Sequence, residues 1–193
     1  MIKKWTKITE KPFFFIRHGQ TDWNVKHHAM GITDIPLNQV GMMQAQSAHQ
    51  QFKGIKIENI CYSPLKRASC TAEILNDVLQ CKMHPIEELK EFNIGHFAGK
   101  KIGSWFDEWV QGKDIPGAEH FHEFVERSIL GINKALEHKG PVLIVAHGGV
   151  YWAIKRAIAQ PYLADLPNCI LSFFGPQQTT GIWKCTQLKN QKI

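Results

Sequence analysis

The sequence predicts a three-layer α/β/α fold with a mainly parallel central sheet. Two apolar runs, at 13–16 and 142–146, have the length and composition of buried strands. Segments with helical apolar spacing, such as 119–138, alternate with such runs. Strands that alternate with helices of this length form a parallel sheet covered by helices on both faces. With 193 residues, of which 44% are hydrophobic, the chain has the size of one domain.

The predicted elements follow one another along the whole chain. Strands are expected over 13–16, 57–62, 83–86, 142–146, 169–174 and 181–185. Helices are expected over 38–52, 63–79, 105–110, 119–138 and 150–159. Asn38 suits the N-cap of the first helix, and Ser63 with Pro64 predicts the cap and first turn of the second. The acidic, glycine-punctuated segment 87–101 predicts a loop with little regular structure.

No repeat and no long linker divides the chain. We therefore expect one domain over 1–193, with 1–12 as an N-terminal extension and 99–119 as a small lid insertion. Trp105, Phe106 and Trp109 in that insertion either cover a substrate or pack in the core, and the residues alone favour neither interpretation.

The formal net charge of +6 and the pI near 9.1 favour an anionic partner. Lysines and arginines are scattered, which argues against nucleic acid, and no apolar run approaches the roughly 20 residues that span a bilayer. Because the sequence shows neither the apolar run of a signal peptide nor that of a membrane span, we expect a cytoplasmic protein. The five cysteines are odd in number and form no CxxC pair, so we expect reduced thiols. A homodimer is compatible with the sequence.

Polar side chains follow three of the predicted strands at the point where each strand ends. Arg17 and His18 follow the first strand, Ser63 and Arg67 lie just beyond the second, and His147 follows the fourth. Ligands in open α/β sheets bind beyond these carboxyl ends, so we expect the side chains to meet. Arginine binds phosphate oxygens at two points, and neutral imidazole is a nucleophile near pH 7. The sequence therefore predicts phosphoryl transfer through a covalent phosphohistidine.

Two further roles remain to be filled at such a site. Asn24, six residues after His18, can add a neutral donor. The leaving alkoxide needs a proton, and Glu87, Glu88 and Glu91 are the candidate general acids.

Four separated segments form a recognisable set in a fixed order. They are Phe15-Ile16-Arg17-His18-Gly19-Gln20-Thr21-Asp22-Trp23-Asn24, then Ser63-Pro64-Leu65-Lys66-Arg67-Ala68, then Leu89-Lys90-Glu91, and finally Val145-Ala146-His147-Gly148-Gly149. Together they resemble the signature of the histidine phosphatase superfamily, also called the phosphoglycerate mutase-like family. The resemblance extends over roughly residues 13–186.

This resemblance implies a role for each matching residue. His18 would be the nucleophile that becomes phosphorylated. Glu91 would protonate the leaving oxygen and then help water attack the phosphohistidine. The phosphoryl oxygens would be bound by Arg17, Arg67 and His147, with Asn24 and Gly148 completing the substrate site. The resemblance implies no metal and no organic cofactor, because arginines and histidines supply the positive charge.

Departures from the family pattern favour a hydrolase of a small phosphorylated metabolite. Cofactor-dependent phosphoglycerate mutases have Arg-His-Tyr-Gly directly after the acid and a longer insert, whereas this chain has Phe92-Asn93-Ile94-Gly95. A mutase remains the alternative. A protein phosphohistidine phosphatase is a further alternative, although it would need an open site without a lid. His28, Met30 and Ala98 stand where the family often has other residues, which leaves the substrate contacts open.

Two other groups of residues invite a functional interpretation. His120 and His122 resemble a metal pair, but residues two apart on a helix point away from each other, so a solvated face is expected. Lys100, Lys101 and Lys113 could attract a second anionic group of the substrate, although exposed lysines commonly have no such role.

Overall fold

The computed structural model describes residues 6–160, 166–177 and 182–188. Its strands are β1 (Phe13–Arg17), β2 (Asn59–Tyr62), β3 (Lys82–Pro85), β4 (Val142–Ala146), β5 (Leu171–Pro176) and β6 (Trp183–Gln187). They form a six-stranded sheet in the order β3-β2-β4-β1-β5-β6.

Six α-helices and three short segments of 3₁₀-helix connect these strands within the described residues. The helices are α1 (Asp22–Val25), α2 (Gln39–Ser47), α3 (Lys66–Leu79), α4 (Ser104–Val110), α5 (Phe121–Leu136) and α6 (Gly148–Ala157). The 3₁₀ turns cover Ala48–Phe52, Glu87–Leu89 and Gly95–Phe97. No helix in the described ranges is both long and apolar enough to cross a membrane.

The direction of the strands brings three chain segments to one edge of the sheet. β1, β2, β3 and β4 are parallel, while β5 and β6 run antiparallel to their neighbours. Arg17 pairs in register with Ala146, and Tyr62 pairs with Val145. The carboxyl ends of β1, β2 and β4 therefore lie side by side, and the predicted mainly parallel sheet is confirmed.

Alternation along the strands divides the core into two layers. On β4, Val142, Ile144 and Ala146 belong to one buried cluster, and Leu143 and Val145 belong to the other. Apolar residues of α5 and α6 complete the first cluster, and those of α2 and α3 complete the second. The three-layer arrangement is therefore confirmed as well.

The structure corrects several local predictions. Ser63 does not cap α3: the helix begins at Lys66, Leu65 occupies the N-cap position, and the Lys66 amide donates to Asp34 Oδ1 at 2.6 Å. The predicted helix over 38–52 is an α-helix followed by a 3₁₀ turn. The predicted bounds of β4 are confirmed, and the ends of the other strands shift by at most two residues, as expected for boundaries read from local composition. Residues 1–5 of the predicted extension and residue 181 of the last predicted strand lie outside the described residues.

Candidate active site

Two histidines and an arginine meet at the carboxyl edge of the sheet. His18 directly follows β1, His147 directly follows β4, and Arg67 lies in the first turn of α3 beyond β2. All three side chains are buried. The imidazole centroids of His18 and His147 are 5.2 Å apart, with the rings tilted by 59°. The parallel register of β1 and β4 is what places the two rings together.

The His18 ring is fixed in one tautomer by its own backbone. Its Nδ1 lies 2.7 Å from the Gly19 carbonyl oxygen. A carbonyl only accepts, so Nδ1 carries the proton and Nε2 keeps a lone pair. The backbone is fixed too, since the His18 amide donates to Ala146 O at 3.0 Å and Asn168 Nδ2 donates to His18 O at 2.7 Å. His18 thus presents a nucleophilic nitrogen from a rigid position.

The second histidine has one bonded and one unbonded nitrogen. His147 Nε2 lies 2.7 Å from Ser63 Oγ, which orients the ring. His147 Nδ1 and Arg67 Nε are buried and have no hydrogen-bond partner within the described part of the chain. Buried polar atoms are normally paired, so two such atoms beside His18 indicate the place of a ligand that can bond to both. An oxyanion is a ligand of this type.

Backbone carbonyl oxygens hold the arginines in place. Arg67 donates from Nη1 to Thr33 O at 2.9 Å and from Nη2 to Gly31 O at 2.8 Å. Arg17 donates from Nη1 to Leu166 O at 2.7 Å. Burial lowers the pKa of Arg67 to about 10, although the charges of Glu91 and Asp34 oppose this shift. Arg67 therefore remains a cation at neutral pH.

Burial and the nearby cations keep both imidazoles neutral. Burial lowers the pKa of His18 well below its ordinary value, and the charges of Arg67 and Arg17 lower it further. Burial is also the largest cause that lowers the pKa of His147, and the charge of Arg67 is the next largest. A neutral His18 is the form that can act as a nucleophile.

Among the three candidate glutamates, only Glu91 lies at this site. Its Oε2 accepts from the Gly149 amide and its Oε1 from the Phe92 amide, both at 3.2 Å. Burial raises the pKa of Glu91, and the Arg67 charge is the largest opposing effect. Glu87 instead pairs with Lys90, and Glu88 pairs with Lys134, away from the histidines. The geometry thus singles out Glu91 as the carboxyl group able to carry a proton near His18.

A cavity of about 360 Å³ opens above this cluster. Asn24 and Gly148 line it, as do Arg17 and Glu91. Asn24 Oδ1 accepts from the amide of Thr21, the N-cap of α1, at 3.0 Å, so its Nδ2 hydrogens are the donors it can offer a ligand. The structure therefore brings together all seven residues that the sequence assigned to the site.

The three aromatic residues of the predicted lid have different roles: two line the cavity and one packs in the core. Trp105 and Phe106 line the cavity. Trp109 does not, because it is 1% exposed and packs on Phe92 and Phe121 with centroid separations of 4.6 and 5.1 Å. Part of α4 is therefore a cavity wall, and part of it is core.

Arg127 of α5 binds the chain segment that carries Glu91. Its Nη1 donates to Glu88 O at 2.9 Å and to Lys90 O at 3.0 Å, and its Nη2 donates to Glu119 Oε1 at 2.7 Å. Glu119 Oε1 also accepts from the Asn93 amide at 2.8 Å. One arginine–carboxylate pair thus anchors the backbone on both sides of Glu91.

Replacing Arg127 with methionine should lower the free energy of unfolding by about 2–3 kcal/mol, because the carbonyl oxygens lose their donors and Glu119 loses its partner. Lys134→Met on the same helix is the matched control. Lys134 is an exposed partner of Glu88, so we expect at most about 1 kcal/mol. Urea denaturation of both variants measures the difference, and equal losses would contradict the anchoring role.

The described residues contain no group of three or more His, Cys, Asp or Glu side chains able to hold a metal. His120 Nε2 instead pairs with Asp114 Oδ1 at 2.9 Å at the exposed start of α5. Sequence reasoning missed Asn168, Arg127 and the contact of the Gly149 amide with Glu91. Gly149 did stand within a recognised motif, whereas Asn168 and Arg127 carry no local signal.

Comparisons with known proteins point to one family. A model of the histidine phosphatase superfamily (branch 1) matches residues 13–181. The protein named "Uncharacterized phosphatase PhoE" of Bacillus subtilis (strain 168) is 35% identical over 147 residues, which is 75% of each chain. "Probable phosphoglycerate mutase GpmB" of Proteus mirabilis (strain HI4320) is 31% identical over 177 residues, or 82% of each chain. The solved structure of the alpha-ribazole phosphatase from Shigella flexneri has the same fold, with a TM-score of 0.78 at 24% identity over 92% of this chain and 96% of that one.

Proposed function

Because the chain belongs to branch 1 of the histidine phosphatase superfamily, we propose that it is a phosphohydrolase that cleaves a small phosphomonoester through a phosphohistidine on His18. The observation that carries the proposal is the fixed tautomer of His18. Its Nδ1 proton is held by Gly19 O, so Nε2 is the available nucleophile. The unbonded Arg67 Nε and His147 Nδ1 lie in the same buried cluster.

In the first step, the lone pair of His18 Nε2 attacks phosphorus. The bond between phosphorus and the ester oxygen breaks, and the leaving oxygen takes the proton of Glu91. The products are a free alcohol, a phosphohistidine and a Glu91 carboxylate. Glu91 suits this role because burial raises its pKa, which keeps the acid form present at higher pH.

In the second step, the Glu91 carboxylate takes a proton from a water molecule, whose oxygen attacks phosphorus. The phosphorus–nitrogen bond breaks, inorganic phosphate leaves, and both His18 and protonated Glu91 are restored. Arg17, Arg67 and His147 are the donors for the phosphoryl oxygens in both steps, and Asn24 and the Gly148 amide complete the site. Fixed cations stabilise the charge that spreads over these oxygens in the transition state. The proposed reaction therefore needs no metal.

The cavity favours hydrolysis of a small metabolite over the alternatives. Arg17 is the one lysine or arginine among the described residues that line it, so a second phosphate or carboxylate meets no additional fixed cation. A bisphosphate-dependent mutase has to bind two anionic groups. The enclosing aromatic walls also leave little room for a protein substrate.

Phosphate release from a panel of phosphomonoesters, including a phosphohistidine peptide, tests this proposal. We expect the protein to release inorganic phosphate from small esters without added metal. The similarity to the protein named GpmB is the reason to test the mutase alternative. A coupled assay for phosphoglycerate isomerisation, with and without a bisphosphate, is the test. Bisphosphate-stimulated isomerisation faster than hydrolysis would overturn the proposal.

A further inference from the structure

The cavity above the candidate site has aromatic walls. Trp23 comes from α1, Trp105 and Phe106 from α4, and Trp152 from α6. Three elements that are distant in sequence therefore place large rings around one space. An enclosure of this type binds a ligand through apolar area and ring stacking.

Contacts with neighbouring groups hold Trp105, Phe106 and Trp152 in place. Trp105 stacks on Phe97 with centroids 4.4 Å apart and planes at 13°, and its Nε1 donates to Lys101 O at 3.1 Å. Phe106 packs against Trp152 at 5.3 Å. The rings lose little freedom when a ligand enters, so stacking on them contributes to affinity with a small entropic cost.

Gly99 contributes to the shape of the Trp23 wall. A Cβ atom at Gly99 would lie 3.1 Å from Trp23 Cη2, tighter than most real contacts. Its φ of +78° also lies in the region that favours glycine. The backbone at Gly99 therefore lies directly against the edge of the Trp23 ring.

Beyond Arg17, no lysine or arginine among the described residues lines the cavity. Arg17 and Glu91 line the cavity together with the imidazoles of His27 and His28. Arg17 and Glu91 belong to its floor, the proposed catalytic cluster with His18, Arg67 and His147. Two of the three lysines that the sequence offered for a second anionic group have other partners: Lys113 pairs with Glu108 at 2.7 Å, and Lys100 lies over the Phe97 ring at 5.1 Å. A second anion on the substrate would lose its hydration without gaining a lysine or arginine partner from the described lining.

From these observations we propose that the leaving group of the substrate is an uncharged planar ring that binds between the walls formed by Trp23, Trp105, Phe106 and Trp152. This inference rests on the proposed function, since the phosphoryl group must lie on the floor at His18. The volume of about 360 Å³ is at the lower end of ligand cavities, which fits a ring system of modest size.

The test compares phosphates of primary alcohols, whose leaving oxygens differ little in basicity. The substrates are ethyl, phenethyl and cyclohexylethyl phosphate, and a phenethyl phosphate with a carboxylate on the ring. We expect kcat/KM for phenethyl phosphate to exceed that for ethyl phosphate by about 10- to 100-fold, with cyclohexylethyl phosphate between them. The ring carboxylate should lower kcat/KM by about tenfold. Equal values for phenethyl and cyclohexylethyl phosphate, or a gain from the carboxylate, would overturn the inference.

A matched pair of tryptophan variants tests whether the walls cause the preference. Trp105→Leu should lower the ratio of kcat/KM between phenethyl and ethyl phosphate by about fivefold. Trp183→Leu is the control, because Trp183 lies on β6 and packs on Phe13 at 5.9 Å, away from the cavity. The control should keep the wild-type ratio, and a ratio unchanged in both variants contradicts the role of the wall.

Binding measurements separate failure of this inference from failure of the proposed function. Phenethylphosphonate and ethylphosphonate have no ester oxygen to release, and their binding is followed by tryptophan fluorescence. We expect phenethylphosphonate to bind about tenfold more tightly. If no ester is hydrolysed but this preference is found, the proposed function fails while the ring site stands. Equal binding of the two phosphonates overturns the ring site whatever the activity.

Discussion

Replacing His18 with alanine is expected to lower kcat for phosphomonoester hydrolysis by about 10⁴-fold or more, because no other group takes over from a missing nucleophile. The wild-type protein, mixed with substrate labelled in its phosphoryl group and quenched in alkali, should carry label that acid removes. The variant should carry none.

The control is His120→Ala, since His120 is half-exposed and pairs with Asp114. It should retain both turnover and labelling. His18→Asn fills more of the buried volume and guards against loss of the fold, which thermal melting checks. Labelled protein or near-normal turnover in either His18 variant would contradict a phosphohistidine at this position.

The second large effect is expected for Glu91→Gln, which keeps the shape of the side chain but cannot donate a proton to the leaving oxygen. We expect kcat for alkyl phosphates to fall by about 10²- to 10⁴-fold. The loss of kcat for nitrophenyl phosphate should be much smaller, because its leaving oxygen needs little protonation. Glu87→Gln is the control, since Glu87 is exposed and pairs with Lys90.

The pH dependence of the activity tests the role of Glu91 independently. The general acid acts in its protonated form, and burial raises the pKa of Glu91. Activity on alkyl phosphates should therefore persist above the usual pH range of carboxyl groups. It should fall as pH rises through the raised pKa of Glu91. The pKa of His18 is lowered, so the nucleophile becomes protonated only at lower pH, where the acid limb should appear. Glu91→Gln should lose the alkaline limb and keep the acid limb. An unchanged alkaline limb would assign the proton to another group.

Much of the site could be predicted because its residues lie at the ends of strands with a strong local signal. The apolar runs before His18 and His147 mark β1 and β4, and parallel pairing then brings the two histidines together. The choice among the three glutamates could not be made from spacing. It depends on the amide of Gly149, which lies 58 residues further along the chain from Glu91.

The misassigned role of Ser63 has a similar cause. A serine before proline suits a helix cap, but its hydroxyl group binds His147, 84 residues away. Arg127 and Asn168 were missed because both act through backbone carbonyl oxygens, which every residue carries. Contacts of this kind leave no pattern in the amino-acid sequence.

The division between floor and walls has a consequence for how such a protein can diversify. The floor is bonded to the sheet: the His18 amide binds Ala146 O at the end of β4, and His147 binds Ser63 beyond β2. Much of the wall belongs to short segments between sheet elements, such as α1 and α4. Length and sequence in these segments can change without moving a strand end. Substrate range can therefore drift, or be engineered by replacing the cavity-lining residues of α4, Trp105 and Phe106, while the reaction chemistry is inherited intact.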